Sequence, residues 1–163
     1  MRPTLAPKVA EYKLDSVELA TLLRAAIDAG YSASFNAPGN SMLPFIHSGD
    51  KIFVAPLGKS SIRLGDVLVF IQPDSGHVLA HRVVKLKADR ILCKGDNVAN
   101  LFDGWVFFED VLGRVVKVQR EGKPIQFGLG FEKQFIASLS RKQLLAPLLN
   151  FLRKVKIGVV RSK

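Results

Sequence analysis

Apolar residues recur at helical spacing early in the chain. Val17, Leu19, Ala20, Leu23 and Ile27 form a stripe within VELATLLRAAIDA, the period of an amphipathic helix. Asp15 or Ser16 can cap its start, and Gly30 suits the position just past its end. The pattern then changes to alternation: Tyr31, Ala33, Phe35 and Ala37 are separated by polar residues, which predicts a half-buried strand leading into Pro38-Gly39-Asn40-Ser41. From Lys51 to Val118 the chain breaks into the short runs KIFVA, DVLVFI, HVLAHRVVKL, RILCK and VLGRVVKV. Turn signals such as Ser48-Gly49-Asp50, Pro73-Asp74-Ser75-Gly76 and Ala88-Asp89 separate them. Many short strands without intervening helices predict an antiparallel, coiled or barrel-like β domain. After Gly128-Leu129-Gly130 the period becomes helical again, with Pro147 dividing the segment in two. The expected architecture is mainly β with flanking helices: an N-terminal helical segment over 1–30, a β domain over 31–126 and a basic helical tail over 127–163, without internal repeats.

The chain has 163 residues, 48% of them hydrophobic, enough to bury one sizeable core. Its single cysteine, Cys93, cannot close an internal disulfide, which fits a reducing compartment. The opening residues hold no uninterrupted apolar run, and no later stretch approaches the roughly 18 apolar residues of a spanning helix. A cytoplasmic chain, neither secreted by a cleaved signal nor transmembrane, is the expectation. The formal charge of +10 is uneven, because Phe131 to Lys163 carry eight Lys or Arg against one Glu. In this tail Leu144, Leu145, Leu148, Leu149, Leu152 and Val155 can form an apolar stripe beside Arg141, Lys142, Arg153, Lys154 and Lys156. That pattern suits a peripheral contact of residues 141–163 with an anionic membrane, and equally a helix packed on the β domain. The tail lacks interleaved aromatic and basic residues, so nucleic acid is not an expected partner.

Candidate chemistry centres on Gly39-Asn40-Ser41-Met42-Leu43-Pro44. A serine delivered at a strand end, between a glycine and a nearby proline, sits on a stiff turn where Oγ can face a substrate. A loop serine explains the string as well, and a serine hydroxyl needs a base and a group that orients it before it attacks anything. His47 and His77 fall in loops. His81, in VLAHRVV, shares a strand face with Leu79 and Val83, the pattern of a core histidine or of a base. Asp96, in Lys94-Gly95-Asp96-Asn97, and Asp103, in Phe102-Asp103-Gly104, are turn residues that can also reach an imidazole. Cys93 lies inside a strand run and reads as a small buried residue rather than a nucleophile. No His, Cys and carboxylate cluster has metal-ligand spacing, and Gly128-Leu129-Gly130 is too short for a phosphate loop, so neither metal nor cofactor is expected.

Taken in order, GNSMLP, SGDKIFV, LGDVLVF, AHRVV, CKGDN, Asp103 and VLGRVV closely resemble the catalytic core of the S24/S26 peptidases, which include type I signal peptidases and self-cleaving repressors. The resemblance covers about residues 31 to 118 and implies the β fold of those proteases. It further implies Ser41 as nucleophile, His81 as general base in place of the lysine used by some members, and Asp96 and Asp103 as supporting acids. Gly39, Asn40, Met42 and Pro44 become candidates for substrate and oxyanion contacts. Gly39 stands where some members carry a second hydroxyl, which leaves the oxyanion to backbone N–H groups. Lys85 is an alternative base, but four strand residues place it about 13 Å from His81. The implied activity is serine endoproteolysis of an extended peptide or preprotein. Two other functions fit the residues: a repressor-like protein that cuts itself once, for which Ala29-Gly30 is the right dipeptide, and a non-catalytic binding module on the same scaffold.

Overall fold

The computed structural model describes residues 15–57 and 62–160. The opening basic segment, Arg161 and Lys163 lie outside them, as do the side chains of Arg153, Val155 and Lys156. Helix α1, Ser16–Asp28, begins at Asp15, whose carboxylate accepts from the amides of Val17 and Glu18 while Glu18 accepts from the Asp15 amide. This reciprocal cap satisfies amides that the first turn leaves open. The helix ends where Gly30 takes a φ of +82°, with Gly30 N–H donating to Ile27 and Tyr31 N–H to Ala26. That geometry is the Schellman end that a glycine at this position predicts.

Strands β1 (Ala33–Asn36), β2 (Lys51–Ala55), β3 (Val67–Ile71), β4 (Val78–Leu86), β5 (Arg90–Lys94), β6 (Trp105–Phe107), β7 (Val111–Arg120) and β8 (Lys123–Ile125) form one antiparallel sheet. Its order is β1-β2-β7-β3-β4-β5-β6, with β8 on β7. The result is the mainly antiparallel β half-barrel with flanking helices that the pattern predicts. Two strands were not legible. β6 and β8 have three residues each, too few to show alternation, and β8 contains Pro124, which an edge strand tolerates because it donates no ladder bond.

The uninterrupted apolar run of β3 has a direct cause. Val67 and Val69 enter a core shared with Leu23 of α1, Met42, Phe45, Ile52, Val54 and Leu112, whereas Leu68 and Phe70 enter a second core with Val83, Ile91, Cys93 and Val106. A strand buried on both faces shows no polar alternation.

Helices α2 (Lys133–Arg141) and α3 (Leu145–Val160) follow. The break between them lies at Lys142–Leu144, not at Pro147. Gln143 adopts a φ of +60°, Leu144 N–H donates to Leu139 and Gln143 N–H to Ser140, a second Schellman end without its usual glycine. Pro147 sits in the first turn of α3, where amides have no intrahelical acceptor and its missing N–H costs nothing. The apolar stripe of the tail divides: Leu145 is buried and Leu149 packs on the core, while Leu144, Leu148 and Leu152 are exposed.

Asp50 closes the turn region below Ser41. Its carboxylate accepts from the His47 amide and, through both oxygens, from Arg120 Nε and Nη2 at 2.8 Å. Burial pushes this carboxyl up, but the Arg120 fork and the His47 amide outweigh it and hold the group below its ordinary value of 3.8. A depressed carboxyl contributes stability that is complete above the unfolded value and is lost as pH falls through the folded one. Melting curves from about pH 6 to about pH 2 are therefore expected to show the advantage of the wild type over Asp50→Asn shrinking below about pH 4. A gap that stays constant with pH refutes the linkage.

Candidate active site

Ser41 opens a turn over residues 41–45, reached from β1 through residues 37–40, with Met42, Phe45 and Ile46 buried beneath it. The Phe45 and Ile46 amides donate to Met42 O, so the turn is wound on its own backbone. Across the sheet, β4 presents His81 on the face of Leu79 and Val83, with 6% of the residue exposed. His81 Nε2 lies 2.8 Å from Ser41 Oγ, and Nδ1 lies 2.7 Å from Asp103 Oδ2. A carboxylate only accepts, so Nδ1–H donates to Asp103 and the neutral ring offers Nε2 as acceptor to the Ser41 hydroxyl. The Phe70 ring stands edge-on to the imidazole at 6.4 Å.

The two aspartates have different places. Asp103 holds the imidazole and is itself held by its amide donating to Cys93 O. Asp96 does not stand on the ring. Its carboxylate is fully buried and receives Arg82 Nε at 2.9 Å and Nη2 at 2.7 Å, because Arg82 points to the opposite face of β4 from its neighbour His81. Burial pushes the Asp96 carboxyl above its ordinary value against the pull of Arg82.

The residues flanking Ser41 also separate. Gly39 and Met42 line a cleft of about 140 Å³ together with Ser41 and His81. Asn40 instead ties the turn together: Oδ1 accepts from the Ser48 amide, and its carbonyl accepts from Asn97 Nδ2. Pro44, joined to Leu43 by a cis peptide, offers its carbonyl to His47 Nε2 at 3.1 Å. Of the two loop histidines, His47 is half-buried and His77 is exposed. A register shift between Val83 and Lys85 ends the alternation of β4, and Lys85 stands exposed with Nζ 5.9 Å from the Trp105 ring. Cys93 is fully buried, and burial with the nearby Asp103 charge pushes its thiol well above the ordinary range, which removes it as a nucleophile. A larger depression of about 640 Å³, bounded by Leu86–Asp89 and Phe107–Glu109, contains neither Ser41 nor His81.

Two supporting residues escaped the sequence reading. Gly95 brings backbone against the site: a Cβ there would stand 2.9 Å from Ser41 O and 3.2 Å from His81 Nε2. The adjacent Asn97 amide donates to Ser41 O at 2.7 Å. The glycine between a strand end and Asp96 was the available signal. Arg82 was the other; a cation inside the apolar run VLAHRVV has to be buried on one face, and burial demands a partner.

The family model for signal peptidase, peptidase S26, matches residues 12–101, more than half of the chain. The chain belongs to this signal peptidase family. No curated protein matches it. In this S26 chain the matched segment includes α1, Ser41, His81 and Asp96, and Asp103 lies two residues beyond it. The family is one of peptidases, so the substrate class is a peptide or protein.

Removing one partner of the buried ion pair leaves the other charged without solvent. Arg82→Met is expected to lower the unfolding free energy by about 3–5 kcal/mol, and the double substitution Arg82→Met with Asp96→Leu to regain much of that loss. Urea denaturation followed by circular dichroism measures both; a double variant no better than the single one contradicts the account.

Proposed function

We propose that the protein is a serine endopeptidase in which Ser41 is the nucleophile, His81 the general base and Asp103 the residue that orients His81. The observation that carries this reading is the continuous chain from Ser41 Oγ through His81 to Asp103, with contacts of 2.8 and 2.7 Å. His81 Nε2 takes the hydroxyl proton as Oγ attacks the scissile carbonyl, and the Asp103 carboxylate stabilises the imidazolium that forms. The tetrahedral oxyanion takes backbone N–H groups, that of Ser41 among them. His81 then protonates the leaving amine, and water resolves the acyl-enzyme with His81 again as base. Asp96 serves at one remove, by fixing Arg82 and the Gly95–Asn97 turn beside Ser41.

Cleavage in trans is favoured over a single self-cleavage. Ala29 and Gly30 are held in the C-terminal cap of α1 by three backbone hydrogen bonds, and protease action on that bond requires the helix end to unwind first. A serine-directed fluorophosphonate is expected to label the wild type and not Ser41→Ala. Asp103→Asn, which leaves the shape and reverses the preferred tautomer, is expected to slow peptide cleavage by about 10³- to 10⁴-fold. Unimpaired labelling of Ser41→Ala, or an Asp103→Asn enzyme as fast as wild type, sinks the assignment.

The C-terminal helices supply a peripheral membrane contact in the same reading. Among the described residues no helix is long and apolar enough to cross a membrane, but Phe131, Phe135, Leu144, Leu148, Phe151 and Leu152 are exposed on this segment. Exposed Arg141, Lys142 and Lys154 accompany them, and apolar anchors with cations suit an anionic lipid surface. Sedimentation with phosphatidylserine vesicles is expected at low salt, weakened by added salt and reduced by Phe131→Ser with Phe135→Ser. Full-length protein that stays in the supernatant at low salt refutes the contact.

A further inference from the structure

The cleft beside Ser41 has one wall that comes from neither the sheet nor the serine turn. Phe35 comes from β1, Ile52 from β2, and Val78, Leu79 and Ala80 from β4, while Ala37, Met42 and Ile46 belong to the segment around the serine turn; Leu19 alone comes from α1. The sheet wall is fixed by ladder hydrogen bonds and the serine-turn wall by burial, with Ile52, Met42 and Ile46 all at most 3% exposed. Leu19 is only partly buried and stands one helical turn before Leu23, which is 3% exposed and belongs to the main core. Leu23 therefore anchors the helix face on which Leu19 projects, since positions four apart lie on one side.

Resting on the serine peptidase reading, we infer that Leu19 is a specificity-determining residue: α1 closes the substrate cleft, and the Leu19 side chain sets how large an aliphatic side chain the cleft admits. The cleft volume of about 140 Å³ is close to the roughly 150 Å³ of an apolar cavity that just holds benzene. It is lined mostly by apolar groups, and a volume on that scale admits an aliphatic side chain of an extended peptide, with a single phenyl ring at its upper limit. A hydrophobic pocket discriminates by about 10- to 200-fold for one methylene too many or too few. Shortening the wall therefore changes which peptide is preferred, and lengthening it shuts the cleft.

The test uses the full-length protein and extended peptides that differ only in carrying Ala, Val, Leu or Phe beside the bond cut, with cleavage followed by mass spectrometry. Leu19→Ala is expected to raise the kcat/KM ratio of the Leu peptide over the Ala peptide at least about tenfold, and Leu19→Phe to depress cleavage of all but the smallest. Leu19→Met, similar in volume, keeps the wild-type ratio, as does Val17→Ala on the exposed side of α1. Fluorophosphonate labelling of Ser41 in every variant separates a changed cleft from a lost fold. Labelled variants whose ratios all match wild type overturn the role of Leu19 and leave the peptidase reading intact; a wild type that neither labels nor cleaves overturns both.

Discussion

Arg82 and Asp96 form an ion pair with no solvent contact on either side chain, and the geometry around Ser41 depends on it. Desolvating two charges is expensive and is offset only when their donors and acceptors are well matched. Arg82 meets that condition: Nε and Nη2 donate to Asp96, and Nη1 donates to the carbonyls of Gly65 and Gly128. One side chain thereby joins β4, the turn after β5, the connection into β3 and the loop before α2. Phe45 of the serine turn lies 5.3 Å from the guanidinium, so the turn that carries Ser41 rests against the same cation. The Gly95–Asn97 turn, pinned through Asp96, in turn holds Ser41 O.

With Asp96 matched to a permanent cation, the second carboxylate is left for the imidazole. Asp103 and Asp96 stand on opposite sides of β4, as the strand's alternation requires of partners to the neighbouring residues His81 and Arg82. The separation lets one strand carry both a buried charge in the core and an imidazole at the cleft. Burial around His81 strengthens its hydrogen bond to Asp103 relative to the same contact in water. The imidazole is thus held in one orientation by Asp103.

Polar contacts also dock the C-terminal helices. Lys133 at the start of α2 reaches Asp66 at 2.6 Å, and buried Lys94 donates to Ser140 O near the end of the same helix, where a cation complements the dipole. Burial lowers the Lys94 ammonium's proton affinity, with Asp96 opposing. One face of this helical pair is committed to the domain, and the opposite face keeps its apolar side chains in solvent.

The sequence by itself determined the elements whose signals are local. The period of α1 with its cap and glycine, the alternation of the longer strands, the turn at Ser41 and the inward face of His81 are all written within a few residues of each position. Tertiary structure alone decided partnerships. Ser41 and His81 are 40 residues apart and His81 and Asp103 are 22 apart, distances closed by a sheet in which β7 inserts between β2 and β3. Asp96 and Asp103 follow the same strand, and nothing in their spacing distinguishes the aspartate that faces Arg82 from the one that faces the ring. Gln143 could not be read as a helix end because its left-handed backbone lacks the glycine that announces one, and Pro147 drew attention to a turn where proline does no damage. Local periodicity reports which face of an element is buried; what it is buried against depends on the path of the rest of the chain.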